Sequence, residues 1–297
     1  PSTALSTHEI ENLFDIMRQL RDEGVSFIYI SHKMPELFEI CDSYSVLRDG
    51  RLIANGKFAD TDEHSITELM LGHQLADDSF ADKQYYGTDE IMLSVKDLCG
   101  EDFRDISFDL HRGEIIAITG LQGSGASEMM QCVFGELPSY EGTIEVKGKA
   151  LTHNSIHNAM RSKIAFLPAN RKENSVLPDL SILENMYISE HTLSGRHPAI
   201  RVEKELEKYA EQKEKLNIKA VDAHDLILSL SGGNQQKVFF ARWLNTEAEI
   251  LLLDNPTQGI DVGAKAEIYK LILKLAEEGK TVLVNSQEFP ELQRVAD

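Results

Sequence analysis

The order of apolar and polar positions predicts helices and strands that alternate along the chain. Apolar side chains recur every three or four residues over Thr7–Asp22, which is the pattern of an amphipathic helix, and Gly24 follows as a stop signal. A short apolar run at Phe27–Ile30 predicts a buried strand. The next predicted elements are a helix at Pro35–Cys41 and a hairpin whose strands, 44–47 and 51–54, flank Asp49-Gly50.

The second part of the chain continues this alternation. The strands predicted from short apolar runs are 92–95, 106–110, 114–119, 163–167, 249–254 and 281–284. The predicted helices are 128–134, a charged stretch at 201–216, and one that begins at Ser231. Alternating strands and helices indicate an α/β fold with a mostly parallel central sheet.

An internal repeat organises the chain at an offset of 255 residues. Pro1 aligns with Pro256, and the register continues without a gap to Asp42 and Asp297. The identities include Leu20 with Leu275, Glu23-Gly24 with Glu278-Gly279, Ser31 with Ser286, and Pro35-Glu36-Leu37 with Pro290-Glu291-Leu292. Because the apolar pattern repeats as well, we interpret the chain as the end of one module followed by most of a second.

The repeat predicts the domain organisation. Residues 1–75 would be the C-terminal remnant of the first module, and residues 91–297 a second module that is truncated at its C-terminus. Residues 76–90 are polar and acidic without periodicity, which is typical of a linker. Because the remnant lacks the strand and helix on which it would pack, we expect an exposed apolar surface at Leu13, Met17, Phe27 and Tyr29, which favours self-association.

Composition and charge exclude several classes of protein. Hydrophobic residues make up 42% and charged residues 27%, which is ordinary for a globular protein, and no apolar run reaches membrane-spanning length. The absence of an opening signal sequence argues against secretion. A formal net charge of −19 repels phosphate backbones, so we expect no nucleic-acid partner. Cys41, Cys99 and Cys132 have neither metal-binding spacing nor a disulfide pattern, which fits a reducing compartment.

A glycine-rich loop lies between the predicted strand 114–119 and the following helix. Its spacing is that of the phosphate-binding loop G-x-x-x-x-G-K-[ST], with Ala126 in place of the lysine. Backbone N–H groups of such a loop, and the positive end of the next helix, point at phosphate oxygens. The predicted nucleotide-binding residues are Gly120, Gly123, Ser124, Gly125, Ala126, Ser127 and Glu128. Because Ala126 carries no cation, binding should be weak.

The motifs together resemble those of the ABC transporter ATPases, and specifically the tandem ATP-binding subunit of bacterial carbohydrate importers. The stretches that carry the resemblance are Leu230–Lys237, Phe166–Lys172, Ser181–Met186, Asp261–Lys265 and Ser31–Leu37. The resemblance covers essentially the whole chain. It implies a P-loop fold with an antiparallel β subdomain and a helical subdomain at about residues 172–230, the latter touching a membrane permease.

The resemblance also implies a role for each motif. Asp254 ends the Walker B strand and would hold the Mg²⁺ of ATP together with Ser127. His32 would be the switch histidine of module one, and Gln287 occupies the same position in module two. The signature is Leu230, Ser231, Gly232, Gly233 and Asn234, which acts on the nucleotide of the opposite module. The D-loops would be Ala4, Leu5 and Ser6 and, in module two, Gly259, Ile260 and Asp261.

One site departs from the family pattern at four positions. Ala126 replaces the loop lysine, Ala169 stands at the Q-loop position, Asn255 replaces the catalytic glutamate, and Gln287 replaces the switch histidine. Losing the cation, the water-aligning base and the γ-phosphate sensor together should cost several powers of ten in rate. We therefore expect this chain alone to hydrolyse ATP poorly. The intact signature would complete the competent site of module one, to which His32 and the loop at Ala4–Ser6 would belong.

Two classes of function remain open at this stage. The first is a motor at the cytoplasmic face of the inner membrane, whose partners are permease subunits and, indirectly, a substrate-binding protein; its cargo would be a sugar or, in a rival reading, a nucleoside. The second is a non-catalytic regulatory scaffold.

Two smaller alternatives concern single residues. Phe103 could stack on adenine or be a core aromatic, and Arg171-Lys172 could contact phosphate, although a solvated pair is the simpler interpretation.

Overall fold

The computed structural model describes residues 7–31, 33–48, 50–71, 84–121, 123–139, 141–151, 155–195 and 201–297. They form two compact units, the first made of residues within 1–81 together with 261–263, and the second of the remainder. His32 and the loop at Ala4, Leu5 and Ser6 lie outside the described residues, as does most of the expected linker. The final part of that linker is described, and there the Thr88 N–H donates to the Arg112 carbonyl at 3.0 Å.

The first unit contains helices and one β-hairpin. Its elements are α1 (Thr7–Asp22), α2 (Met34–Ile40), β1 (Ser43–Arg48), β2 (Arg51–Lys57), a 3₁₀ turn (Phe58–Asp60) and α3 (Glu63–Leu71). The predicted first helix, second helix and hairpin are thus confirmed. A small core of Met34, Val46, Phe58 and Ile66 joins α2, the hairpin and α3.

The strand predicted at Phe27–Ile30 is wrong, because this segment has no strand neighbour among the described residues of its unit. Ile28 is 95% exposed and Ile30 is 82% exposed. The expected apolar surface is therefore present at Phe27, which is 43% exposed, but not at Met17, which is buried; Leu13 and Tyr29 are half-buried. The segment folds back toward α1, where the rings of Phe14 and Tyr29 meet edge-on at 6.3 Å.

The second unit contains two sheets and the remaining helices. Its strands are β3 (Ile91–Cys99), β4 (Ile106–His111), β5 (Ile115–Ile118), β6 (Glu141–Val146), β7 (Lys149–Ala150), β8 (Ile164–Leu167), β9 (Ile250–Asp254) and β10 (Thr281–Asn285). Its helices are α4 (Ala126–Phe134), α5 (Ile156–Arg161), α6 (Arg171–Asn174), α7 (Ile182–Ser194), α8 (Val202–Lys215), α9 (Gly232–Leu244), α10 (Val262–Glu277) and α11 (Phe289–Val295). Among the described residues, every helix is too short or too polar to cross a bilayer.

The sheet topology confirms the predicted α/β class. The central sheet has the order β5-β10-β9-β8 with every pair parallel, and the second sheet, β4-β3-β6-β7, is antiparallel. The buried core between them includes Met92, Met130, Phe166 and Leu252. The strand register pairs Asn285 with both Ile118 and Asp254, so β5, β9 and β10 end at one level. In open parallel sheets, this carboxyl edge is where ligands bind.

The repeat in the sequence is accompanied by repeated local structure. Gly24 and Gly279 both end a helix with positive φ, 94° and 84°. The equivalent hydrogen bonds are Gly24 N to Arg21 O and Gly279 N to Ala276 O, both 2.8 Å, and Lys33 N to Ser31 Oγ and Glu288 N to Ser286 Oγ, both 3.1 Å. The two copies thus use the same helix end and the same serine turn.

Candidate functional site

The glycine-rich loop crosses from the end of β5 to the start of α4 at the carboxyl edge of the central sheet. Gly125 caps α4 with φ 82°, a left-handed conformation that favours glycine. A Cβ atom at Gly125 would overlap the carbonyl oxygen of Asp102 and lie 3.0 Å from the Cβ of Phe103. Gly125 is therefore required both by its backbone conformation and by the closely packed segment behind the loop.

The first residues of α4 supply N–H groups but no cation. Ala126 is the first residue of the helix, and Ser127 and Glu128 follow as half-buried side chains. The N-terminus of a nine-residue helix favours anions through its free N–H groups and its dipole. Phosphate could thus be held by backbone donors, without the side-chain charge that Ala126 lacks.

Asp254 is the buried acid of this site. It lies at the end of β9 with 2% of its surface exposed, and burial raises the pKa of its carboxyl, against the opposing effect of hydrogen bonds from Ser127, Asn285 and Asn255. Asp254 Oδ1 accepts from Asn285 Nδ2 at 2.8 Å and from Asn255 Nδ2 at 3.0 Å. The hydroxyl of Ser127 and the carboxylate of Asp254 are oxygen donors of the kind that Mg²⁺ takes.

Asn285 is a site residue that the sequence analysis missed. It ends β10, and its amide also reaches the Ser127 hydroxyl oxygen at 3.5 Å. A signal was present, because a polar residue directly follows the apolar run 282–284, and the repeat aligns it with the apolar Ile30. Asn285 therefore joins the acid of β9 to the first turn of α4.

Asn255 occupies the position where the family pattern has glutamate, and its side chain is already bonded. Its backbone has φ 43°, and its N–H donates to the carbonyl of Asn285 at 2.8 Å. Its Oδ1 accepts from the N–H of Gln287 at 3.2 Å, while Nδ2 faces Asp254. An amide in these bonds cannot take a proton from water, so the arrangement contains no general base at this position.

The predicted signature residues lie at the start of α9, where Ser231 is exposed and Leu230 and Gly233 are buried. Ser231 is the N-cap residue, and its Oγ accepts from Asn234 Nδ2 at 3.0 Å. The backbone at Gly233 is packed so closely that a Cβ there would overlap the Cβ of Ala264. Leu230, 9% exposed, anchors the preceding turn. Ser231 is therefore the exposed residue at the start of α9, and the two glycines that follow it are closely packed by Arg171 and Ala264.

Several other predicted positions are settled by their burial. Phe103 is 8% exposed and packs in the core, as the core alternative expects. Arg171 is not a solvated side chain, because its Nε and Nη1 are buried and have no hydrogen-bond partner among the described residues, whereas Lys172 is exposed. Ala169 lies in the loop after β8, where its carbonyl accepts from Arg171 N at 3.1 Å.

The predicted D-loop residues of the second module differ in conformation and burial. Gly259 has φ 68°, Ile260 is buried and Asp261 is exposed. Within the described residues, no hydrogen bond joins the signature to the phosphate loop, and no cluster of three or more His, Cys, Asp or Glu side chains could hold a metal on its own.

Comparison with solved structures supports this fold and class. A nucleotide-free ATP-binding cassette of an ABC transporter matches 70% of this chain with a TM-score of 0.61 at 22% identity, which speaks for the fold alone. A dimeric ATP-binding cassette in a post-hydrolysis state, bound to ADP and Pi, matches 69% of this chain and 91% of its own length, with a TM-score of 0.58 at 26% identity. The structure therefore has the fold of a nucleotide-binding cassette.

The family follows from the sequence comparisons. The family described as ABC transporter matches residues 103–258, and the chain belongs to that family. A putative ribose/galactose/methyl galactoside import ATP-binding protein of Rhizobium johnstonii is 41% identical over 302 residues, and one of Burkholderia cenocepacia is 41% identical over 301. Both alignments cover 100% of this chain, but the chain spans only 58% and 57% of those relatives.

Proposed function

We propose that this chain is part of the ATP-binding subunit of an importer that moves a sugar through a membrane permease. The proposal is supported by the 41% and 42% identity to two proteins named for ribose, galactose and methyl galactoside import, over the full length of this chain. The carboxyl-edge loop and the signature helix are parts that such a subunit needs. The subunit would lie at the cytoplasmic face of the inner membrane, with a substrate-binding protein as an indirect partner.

The chain would contain the end of one ATPase module and most of a second. The offset of 255 residues, the shared serine turn and the shared helix end support two copies of one design. The module boundaries would be residues 1–75 and 91–297, with a linker between them. The helical region at about residues 172–230 would contact the permease.

The observation that carries the mechanism is the contrast between two parts of the second module. The signature is complete, and Ser231 stands exposed at the start of α9. The module's own site instead has Ala126 without a cation and Asn255 without a base, with Gln287 at the sensor position. We infer that the second module acts mainly on the ATP held by the first.

In its own site, the second module would bind nucleotide weakly and leave it intact. The loop's N–H groups would hold the phosphates, and Ser127 and Asp254 would hold the Mg²⁺ that neutralises their charge. A water near Asn255 would not be activated, because an amide accepts no proton. Hydrolysis would depend on the other site, which Ser231 and the N–H groups of α9 would complete, with His32 as its γ-phosphate sensor.

This proposal is tested by ATP hydrolysis of the complete tandem protein, reconstituted with its permease in vesicles. Ser231→Ala should lower the rate at least about tenfold, because it removes a donor to transition-state charge. Asp254→Asn, in the degenerate site, should lower it less than about twofold. The reverse order would overturn the division of labour. A wild-type protein that binds ATP without hydrolysing it would support the scaffold alternative instead. Uptake of nucleosides but not sugars by the vesicles would contradict the proposal that the cargo is a sugar.

A further inference from the structure

Arg242 is a buried cation that has no carboxylate partner in the described part of the chain. It lies near the end of α9 with 7% of its surface exposed, and burial lowers the pKa of its guanidinium to about 10. The guanidinium stacks on the ring of Phe239 at 4.7 Å. Burying a charge without an opposite charge is costly, so its hydrogen bonds must be well made.

The guanidinium donates to two separate segments of the chain. Arg242 Nε donates to the carbonyl of Asn185 at 2.6 Å, and Nη2 donates to Asn185 Oδ1 at 3.0 Å. Nη1 donates to the carbonyl of Ser175 at 2.9 Å. A single side chain of α9 thus holds α7 and the turn that follows α6. Lysine has one nitrogen and could not reproduce this planar arrangement.

Asn185 extends the same network along the turn before α7. Its side chain is fully buried, and its Oδ1 also accepts from Leu177 N at 3.1 Å. Its Nδ2 is within hydrogen-bonding distance of three carbonyls, those of Leu177, Leu180 and Ser181, at 3.0, 3.2 and 3.0 Å. At the C-cap of α9, Asn245 Nδ2 donates to the carbonyl of Met186 at 3.3 Å. Residues 175–186 are therefore fixed to the C-terminal half of α9.

The other end of α9 is the signature, and the same segment reaches it. The Nη2 of Arg171 lies 2.8 Å from where a Cβ of Gly232 would stand. Arg171 begins α6, whose following residue Ser175 is held by Arg242. The stretch after Ala169 therefore touches α9 both at its first residue and near its last. Because a helix is stiff along its axis, a shift of this stretch must move the signature with it.

We propose that Arg242 is a positioning residue, which locks the signature helix to α7 and to the turn after α6 so that they move as one body. The inference rests on the proposed function, in which the signature completes an ATP site and the region of α7 faces a permease. Arg242 would then transmit a displacement of α7 to the signature helix, or the reverse, without touching nucleotide.

The first test measures amide hydrogen exchange of this chain, which needs no activity. Arg242→Lys keeps the charge but loses the planar donors, and it should speed exchange at least about tenfold in residues 175–186 and also in residues 232–236. Exchange in β9 and β10 should not change. Asn245→Ala, a milder change at the C-cap of α9, should act in the same places but less. Arg161→Lys, on the exposed side of α5, is the matched control. Faster exchange confined to residues 175–186 would overturn the proposal.

The second test measures steady-state hydrolysis by the complete tandem protein with its permease. Arg242→Lys should lower kcat about tenfold and leave the KM for ATP within about twofold, because the signature would be misplaced while the nucleotide-holding site is intact. A rise of KM at unchanged kcat would overturn the positioning role. An inactive wild-type protein would overturn the proposed function instead, and the exchange result would still decide whether Arg242 locks the helices.

Discussion

Asn285 donates its side-chain amide to the carboxylate of Asp254 at 2.8 Å, across the paired ends of two parallel strands. The amide of Asn255 donates to the same oxygen at 3.0 Å. The carboxylate of Asp254 is therefore held by two side-chain amides, and that of Asn285 also reaches the hydroxyl of Ser127 at 3.5 Å. A carboxylate fixed in this way can support a bound ion but has no basic neighbour at Asn255 to activate water.

Burial of Asp254 predicts a pH-dependent stability. Because its folded pKa is raised, this carboxyl favours the folded state at low pH, and that contribution is lost as the pH rises through the folded pKa. Asp254→Asn keeps an oxygen acceptor without the charge, so it should be more stable than the wild type at pH 8 by about 1 kcal/mol. The difference should shrink toward pH 4. Urea unfolding of both proteins across this range measures it, and a difference that grows at low pH would contradict the burial argument.

Gly125 should be intolerant of a side chain. Gly125→Ala combines φ 82° with overlap against the carbonyl of Asp102, and we expect a loss of about 3 kcal/mol in the free energy of unfolding. Gly148 has a similar φ of 71° but open space around its Cα, so Gly148→Ala isolates the backbone cost at about 1 kcal/mol. Equal losses in urea unfolding would show that the packing against Asp102 contributes nothing.

Arg171 should lower the free energy of unfolding when no anion is bound. Two of its nitrogens are buried and have no hydrogen-bond partner in the part of the chain that the structure describes. Burial lowers the pKa of its guanidinium, and the group lies at the positive end of α9. We expect Arg171→Met to raise the free energy of unfolding by about 0.5–1 kcal/mol. The exposed neighbour gives the control, since Lys172→Met should change it by less than about 0.5 kcal/mol. A clear loss of stability on changing Arg171 would mean that its packing outweighs its charge.

The loop should gain affinity for nucleotide when its cation is restored. Ala126→Lys places an ammonium at the start of α4, and we expect the affinity for Mg²⁺-ATP to rise at least about tenfold in calorimetry of this chain. Ala126→Met has a similar length without charge and should not change the affinity. ATP should stay intact in both variants, because Asn255 and Gln287 are unchanged. An equal gain in affinity for both variants would show that apolar contact, and not the charge, causes the effect.

The sequence could predict the elements whose formation depends on local pattern. The helix at Thr7–Asp22, the hairpin after it, and the strands around the phosphate loop all appear where periodicity placed them. The strand at Phe27–Ile30 does not appear, because a strand forms only against neighbours, and none is paired with it among the described residues of its unit. Its copy, β10, lies between β5 and β9.

Contacts between distant residues could not be predicted. Asn285 gave only the signal of a polar residue at a strand end, and Arg242 looked like an ordinary helix position; their partners lie 31 and 57 residues away along the chain. The burial of Arg171 and Phe103 likewise depends on which segments fold over them. Motif spacing identified residues by type and order, whereas the network around Asn185 depends on the packing of α7 on α9.

The most direct test of the central claim is a parallel measurement of ATP binding and turnover by this chain and by the complete tandem protein. Calorimetry with a slowly hydrolysed analogue and Mg²⁺ should give weak or no binding for this chain, and one tight equivalent for the complete protein that depends on Ser231 and Gly232. ATP turnover should be confined to the complete protein. Tight binding and turnover by this chain alone would contradict the claim that the site of Ala126 and Asn255 is catalytically impaired.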